Sequence, residues 1–267
     1  MHSQDIQYLN ESLADILGLA GRELVSLVGA GGKTSLMSAL ARELSLTGQR
    51  VVVTTTTRIF KPQGQIILEP DPQALLCRMA GHLVPGEQMT LAQAEEETPE
   101  GIKLVGLAPE TVDQLWLAGA AEYVLVEADG AKHRPIKAPR EFEPVIPALS
   151  TVVIGLIGLA SLGQALDQET VFGLEPFLRL TGGQPGQPIS PEMAARLAAH
   201  HQGLFKSAPP EAVRILFLNQ AETDQARQAG RELIQIVAQT MDRSRPVRRA
   251  VLGSLRTGQM AVFDLSG

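Results

Sequence analysis

The chain has 267 residues and a formal net charge of −6, with 44% hydrophobic but only 4% aromatic residues. That size can bury a proper core and favours one α/β domain, and the acidic balance argues against a nucleic-acid-binding surface as its main business. A single cysteine, Cys77, excludes an internal disulfide and a cysteine-cluster metal site, and within the apolar pattern of Ala74, Leu75, Leu76 and Met79 it reads as a small core residue.

Ile6, Leu9, Leu13, Ile16 and Leu17 form a helical stripe that ends at Gly18 or Gly21. The N-terminus carries Asp5 and Glu11 with no basic segment, so no signal peptide is expected. The longest apolar run, Val152 to Leu162, is too short for a bilayer, and the expectation is a cytoplasmic protein with no membrane partner.

Leu24 to Leu36 reads as strand, phosphate loop, helix. Gly29, Gly31 and Gly32, with Ala30 between them, let the backbone turn its N–H groups around an anion. Lys33 reaches outer phosphates, the Thr34 hydroxyl suits Mg²⁺, and Ser35 continues the first helical turn. Leu27 stands where the first glycine of the longer G-x-x-x-x-G-K-[ST] pattern would fall. The shortened G-x-x-G-K-T spacing resembles that of the Mur ligases and folylpolyglutamate synthetases, which use ATP. A glycine-rich tight turn beside a surface lysine is the competing reading.

Leu36, Leu40 and Leu44 continue one helical face to Gly48, and Arg50 to Thr55 is a buried parallel strand running into Thr54-Thr55-Thr56-Thr57-Arg58. Ligands of such sheets bind beyond the carboxyl ends of strands, which puts Thr55 and Thr56 beside the phosphate loop and makes Arg58 a phosphate or substrate contact; threonine's strand preference alone also explains the run. From Lys61 to Gly101 the spacing predicts a strand at Ile66 to Leu68, a helix at Pro72 to Ala80 and then a mobile loop, with Glu95-Glu96-Glu97 a solvated face. Ile102 to Leu107 is a strand, and Pro109 to Leu117 a helix that buries Trp116.

Tyr123 to Val126 leads into Glu127 and Asp129. In phosphate-loop enzymes an acid at the end of a second parallel strand holds Mg²⁺ opposite the loop hydroxyl, and these two acids share a face; solvated acids at a strand end are the alternative. The segment Ala131 to Pro147 is basic and proline-stiffened. Lys132, Arg134 and Lys137 are candidates for phosphates or an anionic substrate, and His133 for acid–base work or for nothing beyond structure.

The combination G-A-G-G-K-T-S, T-T-T-T-R and V-E-A-D-G followed by K-A-P-R-E-F-E-P-V-I-P resembles the YqeC family, along nearly the whole chain. Members are described as accessory proteins of selenium-dependent molybdenum hydroxylases, and also as selenium cofactor biosynthesis proteins. The resemblance implies a P-loop NTPase-like three-layer α/β sandwich, a mostly parallel sheet flanked by helices, with a nucleotide core at about 22–160 and residues 161–267 completing the sheet. It implies nucleotide phosphates at Gly29, Gly31, Gly32, Lys33 and Thr34, a metal near Glu127 and Asp129, and a signature loop containing Lys137, Pro139, Glu141 and Glu143. Where the pattern leads one to expect a His-Arg pair beyond the Gly158 strand, this chain has Val171-Phe172-Gly173.

Ser190-Pro191-Glu192 opens a helix to His200 in cap-then-proline order. Val213 to Leu218 is a buried strand ending in Asn219-Gln220-Ala221-Glu222, where GTPases carry N-K-x-D. Gln220 and Glu222 do not support guanine selectivity; Asn219 is a base contact or part of an ordinary strand-end loop. Glu222 to Met241 is an amphipathic helix, and Ala250 to Leu255 and Met260 to Leu265 close the sheet.

The leading expectation is an accessory protein that binds Mg²⁺ with ATP or GTP and acts as an NTPase or nucleotide-dependent transferase, its partner a molybdenum hydroxylase or a cofactor-maturation protein. A Mur-like ligase and a non-hydrolysing nucleotide-switched binding protein are the alternatives.

Overall fold

The computed structural model describes residues 11–265. The strands are β1 (Glu23–Gly29), β2 (Val51–Thr55), β3 (Arg58–Phe60), β4 (Ile66–Leu68), β5 (Gln88–Ala92), β6 (Ala94–Thr98), β7 (Gly101–Val105), β8 (Tyr123–Glu127), β9 (Ile136–Lys137), β10 (Val152–Gly158), β11 (Val171–Phe172), β12 (Val213–Asn219), β13 (Val247–Gly253) and β14 (Met260–Asp264). The helices are α1 (Leu13–Leu17), α2 (Lys33–Leu46), α3 (Pro72–His82), α4 (Pro109–Ala118), α5 (Leu174–Thr181), α6 (Pro191–Ala199) and α7 (Asp224–Thr240).

Nine strands form one sheet in the order β14-β13-β12-β10-β1-β8-β2-β5-β4. All its pairings are parallel except β13 with β14. Its central strands are apolar and buried on both sides, as a parallel sheet sandwiched by helices requires. Val25, Leu27, Leu125, Val152, Ile154 and Phe217 face α1 and α2, while the alternate residues pack under α3 and α4 at one end and α5 to α7 at the other. The chain is therefore a three-layer α/β sandwich. Leu36, Leu40 and Leu44 supply one face of α2, each buried, and every such leucine contributes roughly 2–3 kcal/mol.

The helix starts follow the sequence chemistry. Asp71 accepts the Ala74 N–H, Ser190 that of Met193 and Thr223 that of Ala226, with proline at the first turn of α3 and α6.

Several expectations are corrected. The stretch after α3 is no loop: Gln88–Ala92 is β5, which pairs with β2 and β4 and buries Met89, Thr90, Leu91 and Ala92. The acidic run is solvent-facing as expected but lies on a strand, β6, paired with β7 and through it with β3 in a separate antiparallel sheet. Trp116 is only partly buried, with the Arg22 guanidinium 3.8 Å over its ring. Cys77 is exposed, because α3 buries Leu75 and Met79, one turn apart, on its other side. Helix α5 and the strand pair β9–β11 have no counterpart among the expectations, and β13 begins at Val247, three residues early. The first helix is Leu13–Leu17; Ile6 and Leu9 lie outside the described residues. Among the described residues no helix is long and apolar enough to cross a membrane.

Candidate functional site

Strand β1 is central, and β8 and β10 flank it, so the turns that follow all three strands meet at one edge of the sheet. The order reverses about β1, which makes that edge the crevice where open α/β sheets take ligands. The turn from β1 into α2 runs through Gly29, Gly31 and Gly32 at φ +87°, +91° and +127°, a region that L side chains rarely adopt. At Gly31 a side chain is also excluded by contact, since a Cβ would lie 2.2 Å from the Gly158 nitrogen. The Pro135 carbonyl accepts the Gly158 N–H at 2.8 Å, so the turn, β10 and the 131–147 segment share this point.

Two of the turn's N–H groups are used inside the protein. Gly29 donates to Asp129 Oδ2 (3.1 Å) and Ala30 to the Leu156 carbonyl (3.0 Å). The next five, from Gly31, Gly32, Lys33, Thr34 and Ser35, donate to no acceptor among the described residues. These are the free amides of a helix N-terminus joined to a glycine turn, with the helix dipole behind them.

The charged groups converge on the same turn. Lys33 is buried, donates to the Gly29 carbonyl at 2.5 Å, and lies 3.0 Å from Asp129 Oδ1 and 3.9 Å from Glu127 Oε1. The Asp129 approach lacks hydrogen-bond alignment and is a plain ion pair. Glu127, the last residue of β8, accepts the Thr34 hydroxyl at 2.9 Å. Asp129, expected to face the same ion, instead sits between two lysines, with Lys137 Nζ 3.3 Å away, and braces the turn through Gly29.

The other expected residues divide. Thr55 and Thr56 do lie at the strand ends by the turn, yet both hydroxyls stitch the framework: Thr55 donates to the Glu127 carbonyl (2.7 Å) and Thr56 to that of Val145 (2.6 Å). Arg58 turns away on β3 and pairs with Glu96. Asn219 reaches the turn, but both ends of its amide are engaged there, donating to the Gly31 carbonyl (2.8 Å) and accepting the Leu255 N–H (3.1 Å). Lys137, expected at a ligand's phosphates, is fully buried, because the β9–β11 pairing carries it inside. Its ammonium meets Glu143 (2.9 Å), Asp129 and the Gly130 carbonyl. His133 is exposed and stacks on Phe60. Glu143's role as the Lys137 counter-ion was not foreseen, although both lie in the K-A-P-R-E-F-E run and opposite charges six residues apart in a proline-stiffened loop are a signal for such a pair.

A family model described as "YqeC protein" matches residues 25–175, more than half of the chain. A protein of Escherichia coli (strain K12) described as "Uncharacterized protein YqeC" is 34% identical over 218 residues, covering 81% of this chain and 83% of that protein. The chain belongs to the YqeC family. No solved structure matches it. The family match takes in the glycine turn, Thr55, Thr56, Glu127, Asp129 and Lys137, and the YqeC region ends at Glu175, within α5.

The donor set of this YqeC site suits a hard cation. The Thr34 hydroxyl and the Glu127 carboxylate are oxygen donors in mutual contact, with Asp129 close behind Lys33. Among the described residues no cluster of three or more His, Cys, Asp or Glu side chains stands ready to cage a metal. Such a pair fits Mg²⁺, which keeps waters and phosphate oxygens in its shell and takes one or two protein ligands.

Burial pushes the Glu127 carboxyl above its usual value of 4.5, and Asp129 adds to this, against the pull of Lys33, Thr34 and Lys137. An acid whose folded-state value is raised contributes stability that is complete below its unfolded value and is lost as pH climbs through the folded one. Glu127→Gln is therefore expected to melt higher than the wild type without ligand once the pH is well above the ordinary carboxylate range, with a gap that widens as pH rises from acidic to mildly alkaline. Thermal unfolding across that range checks it; a gap that is flat or narrows would show that Lys33 more than compensates the buried charge.

Proposed function

We propose that this chain binds a Mg²⁺-nucleotide, ATP or GTP, at the β1–α2 turn and uses it, by hydrolysis or group transfer, as an accessory protein in selenium and molybdenum cofactor maturation for selenium-dependent molybdenum hydroxylases. The observation that carries the nucleotide reading is the row of five free N–H groups from Gly31 to Ser35 beside the Lys33 ammonium. The maturation role rests on what the YqeC resemblance implies.

In this reading the free amides and Lys33 hold the nucleotide phosphates, and Thr34 and Glu127 hold Mg²⁺. Bound there, the metal supplies charge neutralisation at phosphate oxygens. Asp129 keeps the turn in shape through the Gly29 N–H and orients Lys33, while Lys137 holds Asp129 from behind. The work of the chain's own residues is positioning and electrostatic stabilisation, with little covalent chemistry of their own.

Thermal unfolding with ATP, GTP or CTP and Mg²⁺ tests the reading on wild type and Lys33→Ala. A nucleotide at about 100 times its dissociation constant adds about 2.7 kcal/mol, roughly 5–11 °C for a chain of this size. One nucleotide should stabilise the wild type and leave Lys33→Ala unmoved; a chain that no nucleotide stabilises would reduce the turn to a structural one.

A further inference from the structure

A cleft of about 1000 Å³ opens beside the 131–147 segment, walled by that segment, by the β11–α5 junction and by the chain just beyond α6. Five cationic side chains line it: Lys132, Arg134, Arg140, Arg179 and Lys206. Three carboxylates share the lining, Glu141, Glu169 and Glu175, which leaves a local excess of two positive charges in a chain whose net charge is −6.

How these cations are held matters more than their number. Among the described residues none of the five is within 4.0 Å of a carboxylate oxygen. Three of them have neutral partners: Arg134 donates to the Gln168 carbonyl (2.9 Å), the Arg140 guanidinium lies 4.3 Å over the Phe172 ring, and Lys206 donates to the carbonyls of Arg140 (2.9 Å) and Glu141 (2.6 Å). Carbonyl and aromatic partners orient a cation without cancelling its charge. The Arg134 and Arg140 forks are thus oriented and available to a phosphate, which such a fork matches two hydrogen bonds at a time.

The volume is at the upper end of ordinary small-molecule pockets, far more than a lone phosphate needs. An extended polyanion fits badly, because the chain as a whole carries a net charge of −6 and the lining has three carboxylates of its own. We propose that the cleft binds a compact, phosphate-bearing small molecule, separate from any nucleotide at the β1–α2 turn. The two places share a wall: Arg134 lines the cleft, and the next residue, Pro135, gives its carbonyl to Gly158 beside Gly31.

The same phosphate chemistry also belongs to a nucleotide tail at the turn, so the test is run in the Lys33→Ala background with inorganic pyrophosphate as the probe. Titration calorimetry should show Lys33→Ala binding pyrophosphate, with an affinity that falls between about 50 and 200 mM salt. Adding Arg179→Glu should weaken that binding at least tenfold, while Arg179→Lys retains most of it. Arg179 is exposed on α5, so its variants keep the fold, and circular dichroism confirms this. Loss of all pyrophosphate binding in Lys33→Ala would assign the probe to the turn alone, and undiminished binding after Arg179→Glu would place it outside the cleft; either result overturns the proposal. Because no nucleotide enters this titration, its outcome is independent of the thermal-shift result.

Discussion

Lys137→Ala should lower the melting temperature by roughly 6–20 °C. The Lys137 side chain is completely shielded, and its ammonium is ion-paired with Glu143 and Asp129 and bonded to the Gly130 carbonyl. Removing one partner of a buried ion pair costs about 3–5 kcal/mol, since the other charges stay behind in a poor solvent, and each kcal/mol moves a chain of this size by about 2–4 °C. Asp129 keeps Lys33, which moderates the loss, whereas Glu143 loses its only close cation among the described residues. Lys137→Met keeps the stem's volume and separates the two contributions. If methionine is as damaging as alanine, charge dominates, including the ammonium's 4.9 Å approach to the Phe172 ring; if it restores most of the stability, packing of the stem does. A loss below about 1 kcal/mol for alanine would show that the network contributes little.

The second large effect is expected at Gly31. Gly31→Ala puts a methyl group 2.2 Å from the Gly158 nitrogen and 2.4 Å from its Cα, with the Pro135 carbonyl at 2.9 Å, all backbone atoms that cannot rotate aside. Forcing such atoms apart costs about 1–3 kcal/mol, and a positive φ adds about 1–2 kcal/mol for a residue with a Cβ. Gly64→Ala is the control: its φ is +110° but nothing lies within 4 Å, so it carries the conformational cost alone. Urea unfolding of both should place Gly31→Ala lower by roughly 1–3 kcal/mol. Equal losses would mean that the turn yields to the methyl group. Where the variant remains folded, displacement of the turn should also abolish any nucleotide-dependent shift.

The main-sheet strands that bear the site were readable because their signals are local. Four-to-seven-residue apolar runs marked β1, β8, β10 and β12, and the glycine pattern placed the turn and the start of α2. Thr34 and Glu127 were legible as a pair because one follows and the other ends a strand that the pattern puts in the same sheet. What escaped depends on tertiary context. β5 is short and mixed, Gln-Met-Thr-Leu-Ala, and becomes a strand only because β2 and β4 offer it edges. β9 and β11 are two residues each and exist only as a pair, so nothing announced that Lys137 would be carried indoors. Asn219 was legible at a strand end, but only the fold shows that it reaches the turn and that the Gly31 carbonyl and the Leu255 N–H occupy both ends of its amide. The cleft's cations come from segments up to 74 positions apart, Lys132 to Lys206, a distance over which composition is silent.

The strand order carries a consequence for synthesis. β1 and β2 are neighbours in sequence but not in space, since β8 lies between them, and β8 ends at Glu127 while β2 ends at Thr55. At ribosomal speeds of about 5–20 residues per second, roughly 4–14 s separate the emergence of β2 from the completion of the strand that joins it to β1. During that interval two apolar strands wait with open edges on a nascent chain, and long-range parallel pairing of this kind is slow to form even once the partner is out. The insertion that makes β1 the centre of the sheet, with the glycine turn at its tip, thus leaves the growing polypeptide with unpaired strand edges until β8 is complete.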